Sequence, residues 1–193
     1  TSRLKVEEDM SFSGTMEASA TSRIDLDGGS EQTISGAPGE PPAFNRLFCS
    51  SSATVFNLTA TISDTLDAGG EDFTISNGKT LTMGAESVTV KSGGNWTQDG
   101  TLILNAASKV LYNTAAQSTM TGLMYGNVEH NGGTLSQGGA LTVAGNFTNT
   151  SGNFAASQNI TANGIVWTEG SVTGTPSQTW DIGTEGITID GGT

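Results

Sequence analysis

The sequence predicts an all-β protein, a parallel β-solenoid (β-helix) with an N-terminal β-rich cap or docking segment. Three observations lead there: short runs that alternate apolar and polar residues, glycine-rich corners between them, and a set of landmarks that returns at a long, fixed order along the chain. The runs set the element type. Phe73-Thr-Ile75, Leu81-Thr-Met83, Val88-Thr-Val90, Leu102-Ile-Leu104, Leu141-Thr-Val143 and Ile187-Thr-Ile189 each put two apolar side chains on one face. That period of two is strand geometry, and no comparable stretch follows the helical period.

Asn-Gly, Gly-Gly, Asp-Gly and Ser-Gly pairs separate these runs, and such residues tolerate the positive φ of tight corners. Strands recur about every 7 residues, denser than the 8–12-residue spacing of a typical sandwich. Three strands with their corners make one coil of about 20 residues, within the range of solenoid repeats.

The longer period comes from matching phrases in the same order. Asn77-Gly-Lys-Thr-Leu81 resembles Asn131-Gly-Gly-Thr-Leu135, and Gly94-Asn-Trp-Thr97 resembles Gly145-Asn-Phe-Thr148. Ala106-Ala-Ser108 matches Ala155-Ala-Ser157, and Thr114-Ala-Ala-Gln117 resembles Thr175-Pro-Ser-Gln178. Val128-Glu-His-Asn-Gly-Gly-Thr134 matches Ile187-Thr-Ile-Asp-Gly-Gly-Thr193, and the offset drifts from one matched pair to the next. The chain from residue 73 to its end thus reads as two copies of a repeat unit of about 56 residues, with a third beginning at Ile187. A pattern that stops inside its third copy is expected to leave an open strand edge, covered by more of a longer parent or by another subunit.

Residues 1–52 do not follow that pattern. They carry Glu7, Glu8, Asp9, Glu17, Asp25, Asp27, Glu31 and Glu40 against Arg3, Lys5, Arg23 and Arg46, and hold the rigid loop Gly36-Ala-Pro-Gly-Glu-Pro-Pro42. Alternation at Ser11–Met16 and Ile24-Asp-Leu26 marks strands here too. The expected division is a cap or docking segment at 1–52 and a solenoid at 53–193. A first residue Thr1 in place of Met reads as a processed or excised piece.

The stretch from Gly94-Asn-Trp-Thr-Gln-Asp-Gly-Thr-Leu102 through Thr114-Ala-Ala-Gln117 to Gly139-Ala-Leu-Thr-Val-Ala-Gly-Asn-Phe-Thr148 resembles the repeats of large bacterial and archaeal cell-surface proteins. The resemblance covers roughly residues 73–193. It implies the right-handed parallel β-solenoids of adhesins, filamentous-haemagglutinin-like exoproteins and other surface fibres, and a place outside the cell.

Composition agrees with an extracellular or cell-surface location. Charged residues make up 13% of the chain, about half the usual share, so Thr, Ser, Asn, Gln and Gly cover most of its surface. With 7 Lys+Arg against 19 Asp+Glu and a formal charge of −12, the field repels phosphate backbones and anionic headgroups. Nucleic acid is therefore excluded as a partner. No apolar run approaches the ~18 residues of a membrane-spanning helix, so no membrane insertion by a helix is expected. Cys49 is the single cysteine, which leaves no internal disulfide and reads as a small buried hydrophobe.

Candidate chemistry is sparse. Beyond Lys109 the chain has no Lys or Arg and only Glu129, Glu169, Asp181, Glu185 and Asp190, which is poor material for a glycan-cleaving pair of carboxylates. Glu129-His130 lacks the further ligands that a metal site needs, and the acidic turns Asp67–Asp72 and Asp190–Gly192 lack the regular order of calcium-binding repeats. No enzyme activity, cofactor or metal is expected. Trp96, Phe147 and Trp167 read as an internal aromatic stack, and the Thr-x-Thr pairs as β-propensity on a wet face.

Five Asn-x-Ser/Thr sequons, at Asn57, Asn95, Asn146, Asn149 and Asn159, are candidate glycosylation sites, and buried asparagine ladders are an equally physical use of the same residues. The function expected is structural: a subunit of an extracellular fibre or surface layer that assembles with copies of itself, head to tail. Residues 1–30 are the expected strand donor, with Phe12, Met16, Ile24, Leu26, Ile187 and Ile189 as candidate contacts. The alternative is an adhesin or glycan-binding stalk whose partner is polysaccharide or cell-surface glycan.

Overall fold

A computed structural model describes residues 3–13, 23–36, 43–49, 53–57, 59–62, 66–67, 72–83, 87–91, 96–113, 116–174 and 177–190. Every described element is a β-strand, every described pairing is parallel, and the chain divides into two compact units, Thr1–Asn105 and Ala106–Thr193. Each unit is a parallel β-solenoid.

In the first unit the strands fall coil by coil. The first coil holds β1 (Arg3–Val6) and β2 (Met10–Phe12), and the second holds β3 (Arg23–Leu26), β4 (Gln32–Gly36) and β5 (Ala43–Phe44). The third holds β6 (Arg46–Cys49), β7 (Ala53–Asn57) and β8 (Ala60–Ile62); the fourth β9 (Leu66–Asp67), β10 (Asp72–Ile75) and β11 (Thr80–Met83). The fifth holds β12 (Ser87–Lys91), β13 (Trp96–Gln98) and β14 (Thr101–Ile103). Three sheets result, β1-β3-β6-β9-β12, β2-β4-β7-β10-β13 and β5-β8-β11-β14.

The register fixes the coil length. Arg3 pairs with Arg23 and Arg23 with Arg46; Thr54 pairs with Phe73, and Leu81 with Leu102. Coils of about 20 residues follow directly, the size of an ordinary solenoid repeat. The ladder starts at Arg3, so the boundary expected between residues 52 and 53 has no counterpart in the strand pairing: the described part of 1–52 is itself coiled. The alternation explains why. In Arg3-Leu-Lys-Val6 and Arg23-Ile-Asp-Leu26 the two strands keep a period of two, and Ile24 and Leu26 enter the core whatever charges stand between them, so charge content and coil membership are independent.

The core is a set of columns, one residue per coil. Ile24, Leu47 and Leu66 stack on the first sheet, and Ala60, Leu81 and Leu102 on the third, all buried. Charge is managed at the same spacing: Asp25, nearly buried, pairs with both Arg3 and Arg23, and the Arg23 guanidinium lies 3.6 Å from the Phe48 ring centre. Gln32, also buried, ties the first two coils: its Nε2 donates to the Val6 and Glu8 carbonyls at 3.1 and 2.7 Å, and its Oε1 accepts from the Gly28 N–H at 2.8 Å.

The second unit is more continuous. After β15 (Lys109–Asn113), β16 (Gln117–Ser118) and β17 (Met124–Tyr125), the strands β18 (Asn127–Ser136) and β19 (Leu141–Ala156) run around corners without a break. They are followed by β20 (Ile160–Trp167), β21 (Ser171–Gly174) and β22 (Trp180–Ile189). Val110, Val128, Phe147, Ile165 and Ile187 form one column. Val128 and Ile187, which head matching phrases in the sequence, therefore stand in the same column three coils apart. Within this unit the long sequence period is three coils.

One corner shows why the glycines are needed. Gly133, Gly152 and Gly170 all have positive φ, at 67°, 88° and 89°. A Cβ on Gly152 would meet the Gly133 carbonyl oxygen at 2.5 Å, so both backbone conformation and coil spacing require glycine there.

Burial also places three weak acids in the core. Desolvation raises the Cys49 thiol from 9.0 to about 12 and the Tyr125 phenol from 10.0 to about 12, and pushes Tyr112 up as well. The two phenols meet at 2.9 Å, and the Met120 N–H donates to Tyr125 Oη at 2.7 Å. Folding holds these protons more tightly than the unfolded chain does. Their contribution is complete below the unfolded values and fades as pH climbs toward the folded ones. The melting temperature should accordingly hold between pH 7 and about 8.5 and fall from about pH 9 upward; a flat profile to about pH 12 would contradict this burial.

Candidate interaction surface

The inward columns of the second unit end on a partly exposed apolar rung. Phe154 is followed one coil on by Val172, Ile160 by Trp180, Ala162 by Ile182, Ile165 by Ile187, and Trp167 by Ile189. The first of each pair is buried; the second is not, because β21 and β22 have no described strand on their outer side. Val172, Ile187 and Ile189 are 45%, 56% and 68% exposed although they occupy core positions. Around them sit the exposed acids Asp181, Glu185 and Asp190, with Glu185 accepting from Asn163 Nδ2 at 2.9 Å. The first unit has the same condition at β1: Leu4 stacks over buried Ile24, no described strand lies on its outer side, and it is 54% exposed. Beside Leu4, Arg3 and Lys5 point outward, Lys5 bridging Glu7 and Asp27 at 2.6 and 3.2 Å, contacts that raise its pKa.

Of the contact residues read from sequence, Ile187 and Ile189 lie on this open end. Ile24 and Leu26 lie in the core between β1 and β6, where they hold the first coils together and present nothing to a partner. Phe12 takes part in β2 by its backbone, its side chain lies outside the described residues, and Met16 lies outside them altogether. Leu4, Val172, Trp180 and Ile182, not singled out in the sequence, also hold core positions without full burial. Their alternation was readable, and an open edge was expected at the C-terminal end with Ile187 and Ile189; which other inward residues share that rung follows only from the register.

Glu129 and His130 do not form a joint site. Strand alternation sends Glu129 outward, 2.7 Å from Lys109 Nζ, and His130 inward to 1% exposure. The His130 ring nitrogens lie 2.5 Å from Asn149 Oδ1 and 2.6 Å from the Gly132 carbonyl, and Asn149 Nδ2 donates to the Glu169 carbonyl at 2.6 Å. Three successive coils are joined by this buried polar chain. Among the described residues no cluster of three or more His, Cys, Asp or Glu could hold a metal ion. Asp67 and Asp72 are placed, but the turn between them lies outside the described residues, as do Gly191 and Gly192.

The sequon asparagines divide by environment. Asn57 and Asn159 are exposed, Asn95 lies outside the described residues, and Asn149 is fully buried in the chain just described. Asn146 belongs to a corner ladder: its N–H bonds to Asn127 Oδ1 at 3.0 Å, and one coil further Asn163 Oδ1 accepts from the Thr184 N–H at 3.3 Å. Phe147 and Trp167 are buried and 6.3 Å apart between ring centres, with Phe154 4.7 Å from Phe147, an internal aromatic cluster. The side chain of Trp96 lies outside the described residues.

One further concavity lies on the outer face of the second unit. Met124, Thr142, Thr161 and Asp181 follow one another in register along successive coils and, with Asn163, line a groove of about 410 Å³.

Removing the middle of the buried chain tests its weight. Asn149→Ala leaves the His130 ring and the Glu169 carbonyl each short of a partner, at a cost of about 1–3 kcal/mol per group. Urea unfolding should show a loss of about 3 kcal/mol, against less than about 1 kcal/mol for the exposed Asn159→Ala. Equal losses would mean that the interior chain contributes nothing. Compared with known proteins, the chain matches no family model, no curated protein and no solved structure.

Proposed function

We propose that the chain is a structural solenoid element of an extracellular fibre or surface layer, assembling with copies of itself through its open solenoid ends. The observation that carries this reading is the uncovered terminal rung: five core-position side chains, Val172, Trp180, Ile182, Ile187 and Ile189, end their columns with no described strand over them. Apolar surface of this kind is stabilised by burial at roughly 25 cal/mol per Å², and the free strand edge beside it supplies unpaired backbone groups for a parallel partner. The low charge of the chain supports an extracellular place, and the sparse acids and bases beyond Lys109 support a non-catalytic role. Within residues 1–30, β3 lies inside the coil stack, which leaves β1 and β2, each paired on one described side only, as the strand donors of this reading.

The test is electron microscopy of the purified chain across a concentration series. Filaments of uniform width that grow with concentration are expected; monodisperse monomers at all concentrations would overturn the proposal.

The outer groove favours a second reading, the adhesin or glycan-binding stalk. The hydroxyls of Thr142 and Thr161 on adjacent coils and the Asn163 amide, beside the exposed thioether of Met124, offer polar and apolar contacts to an oligosaccharide. Titration with cello- and chito-oligosaccharides should give saturable binding that Thr161→Leu weakens at least tenfold. Binding that is absent or unaffected by that substitution removes this reading.

A further inference from the structure

We infer that the buried chain running from the Gly132 carbonyl through His130 and Asn149 to the Glu169 carbonyl is a proton-sensitive staple between coils. All of its links form together only while the His130 ring carries a proton on both nitrogens, and loss of one proton opens the link to Gly132.

Counting donors leads to this result. The chain ends on two backbone carbonyls, Gly132 and Glu169, which only accept. Between them the Glu169 carbonyl meets Asn149 at 2.6 Å, Asn149 meets His130 Nδ1 at 2.5 Å, and His130 Nε2 meets the Gly132 carbonyl at 2.6 Å. Each of these links needs one proton. The Asn149 amide fills one only, because Nδ2 donates to Glu169 while Oδ1 faces the ring and must accept. The imidazole must fill the other two, from Nδ1 to Asn149 and from Nε2 to Gly132. Only the imidazolium has two N–H groups. Turning the Asn149 amide over does not help: Nδ2 would then serve a neutral ring, but Oδ1 would face the Glu169 carbonyl, acceptor against acceptor.

The groups around the ring leave this count unchanged. Tyr112 pairs in register with His130 on one side and Asn149 on the other. The Tyr112 and Tyr125 phenols bond to each other, and burial has raised both, so they stay uncharged. On the neighbouring outward position Glu129 pairs with Lys109. Glu169 contributes its backbone carbonyl, and the residue itself is exposed. The ring proton is thus held by carbonyl and amide oxygens.

Burial decides which link opens. The Asn149 link is buried, whereas the Gly132 link is only part-buried. Gly132, with φ of 109°, lies in the irregularity of β18 between Asn131 and Thr134, outside the register that the flanking residues keep with β19. Water can stand in for the donor that Gly132 loses, but not for one lost deep in the core. The neutral ring therefore keeps its proton on Nδ1, and the corner from Asn131 to Thr134 loosens.

His130 is the only histidine of the chain, so its ring gives the single imidazole signal of the intact protein. Nitrogen-15 NMR of the folded chain should show both ring nitrogens protonated at about pH 5, each with its one-bond N–H splitting. As pH rises across the imidazole range of about 5 to 8, Nε2 should lose its proton while Nδ1 keeps its own. The Gly132 carbonyl carbon should shift at the same midpoint, and the amides of residues 131–134 should exchange faster than the intrinsic pH effect requires. A ring with a single proton at about pH 5, a neutral ring that keeps the proton on Nε2, or a Gly132 signal that does not follow the ring would each overturn the inference.

Discussion

The rest of the structure depends on the stacking of each inward side chain on its counterpart one coil away. A parallel coil cannot bury its own apolar residues. Each contributes a single layer, and only neighbours above and below complete it. Columns such as Val110, Val128, Phe147, Ile165 and Ile187 show the consequence: the first four are buried and the last, chemically the same kind of residue, is 56% exposed. Burial here depends on position along the stack rather than on residue type.

The polar interior obeys the same rule. Gln32, His130, Asn149 and Gln137 are buried, and each has a described partner in another coil. Gln137 Oε1 accepts from the Ser157 and Gln158 N–H groups at 2.8 and 2.9 Å, closing a corner that neighbouring strands leave unpaired. Long amide side chains suit this work because they carry donor and acceptor on one planar group and so can bond to coils on either side. Glycine does the complementary work at Gly152 and Gly170, where φ is positive and the preceding coil's backbone comes too near for a Cβ.

Much of this was legible in the sequence. Phe73-Thr-Ile75, Leu81-Thr-Met83 and Leu141-Thr-Val143 are strands with their apolar residues inward, and the observed coil length is the one that three such strands and their corners require. The match between Val128 and Ile187 is a true structural correspondence, three coils apart. The division expected at residue 52 followed charge, and strand pairing runs across it. Outward positions on a solenoid accept Arg, Lys and Asp without disturbing the inward alternation, so a charged coil and an uncharged one have the same architecture. Ile24 and Leu26 were placed at a subunit contact for a related reason: alternation identifies which residues face inward, but a residue in mid-stack and one on the last rung carry the same local pattern. The groove at Met124, Thr142, Thr161 and Asp181 had no signal at all, since its residues lie far apart along the chain and meet only through register.

Strands β1 and β22 each pair on one side only among the described residues, and their composition can be compared with that of edges that stay unpaired. Edges that must stay unpaired are usually blunted by proline, by bulges, or by charges pointing into the pairing face. Proline does not occur in β1 or β22; β22 does carry an irregularity, with Gly183–Glu185 opposite the single residue between Ala162 and Gly164, and its charges Asp181 and Glu185 leave the inward set Trp180, Ile182, Ile187 and Ile189 intact. On β1, Arg3 and Lys5 likewise alternate with Leu4 and Val6 rather than replacing them. A charge at an outward position adjusts which strand is welcome; only a charge at an inward position would refuse every strand. Neither strand therefore interrupts the inward alternation that stacks the coils: β1 continues the columns of Ile24 and Leu26, and β22 continues those of Ile165 and Trp167.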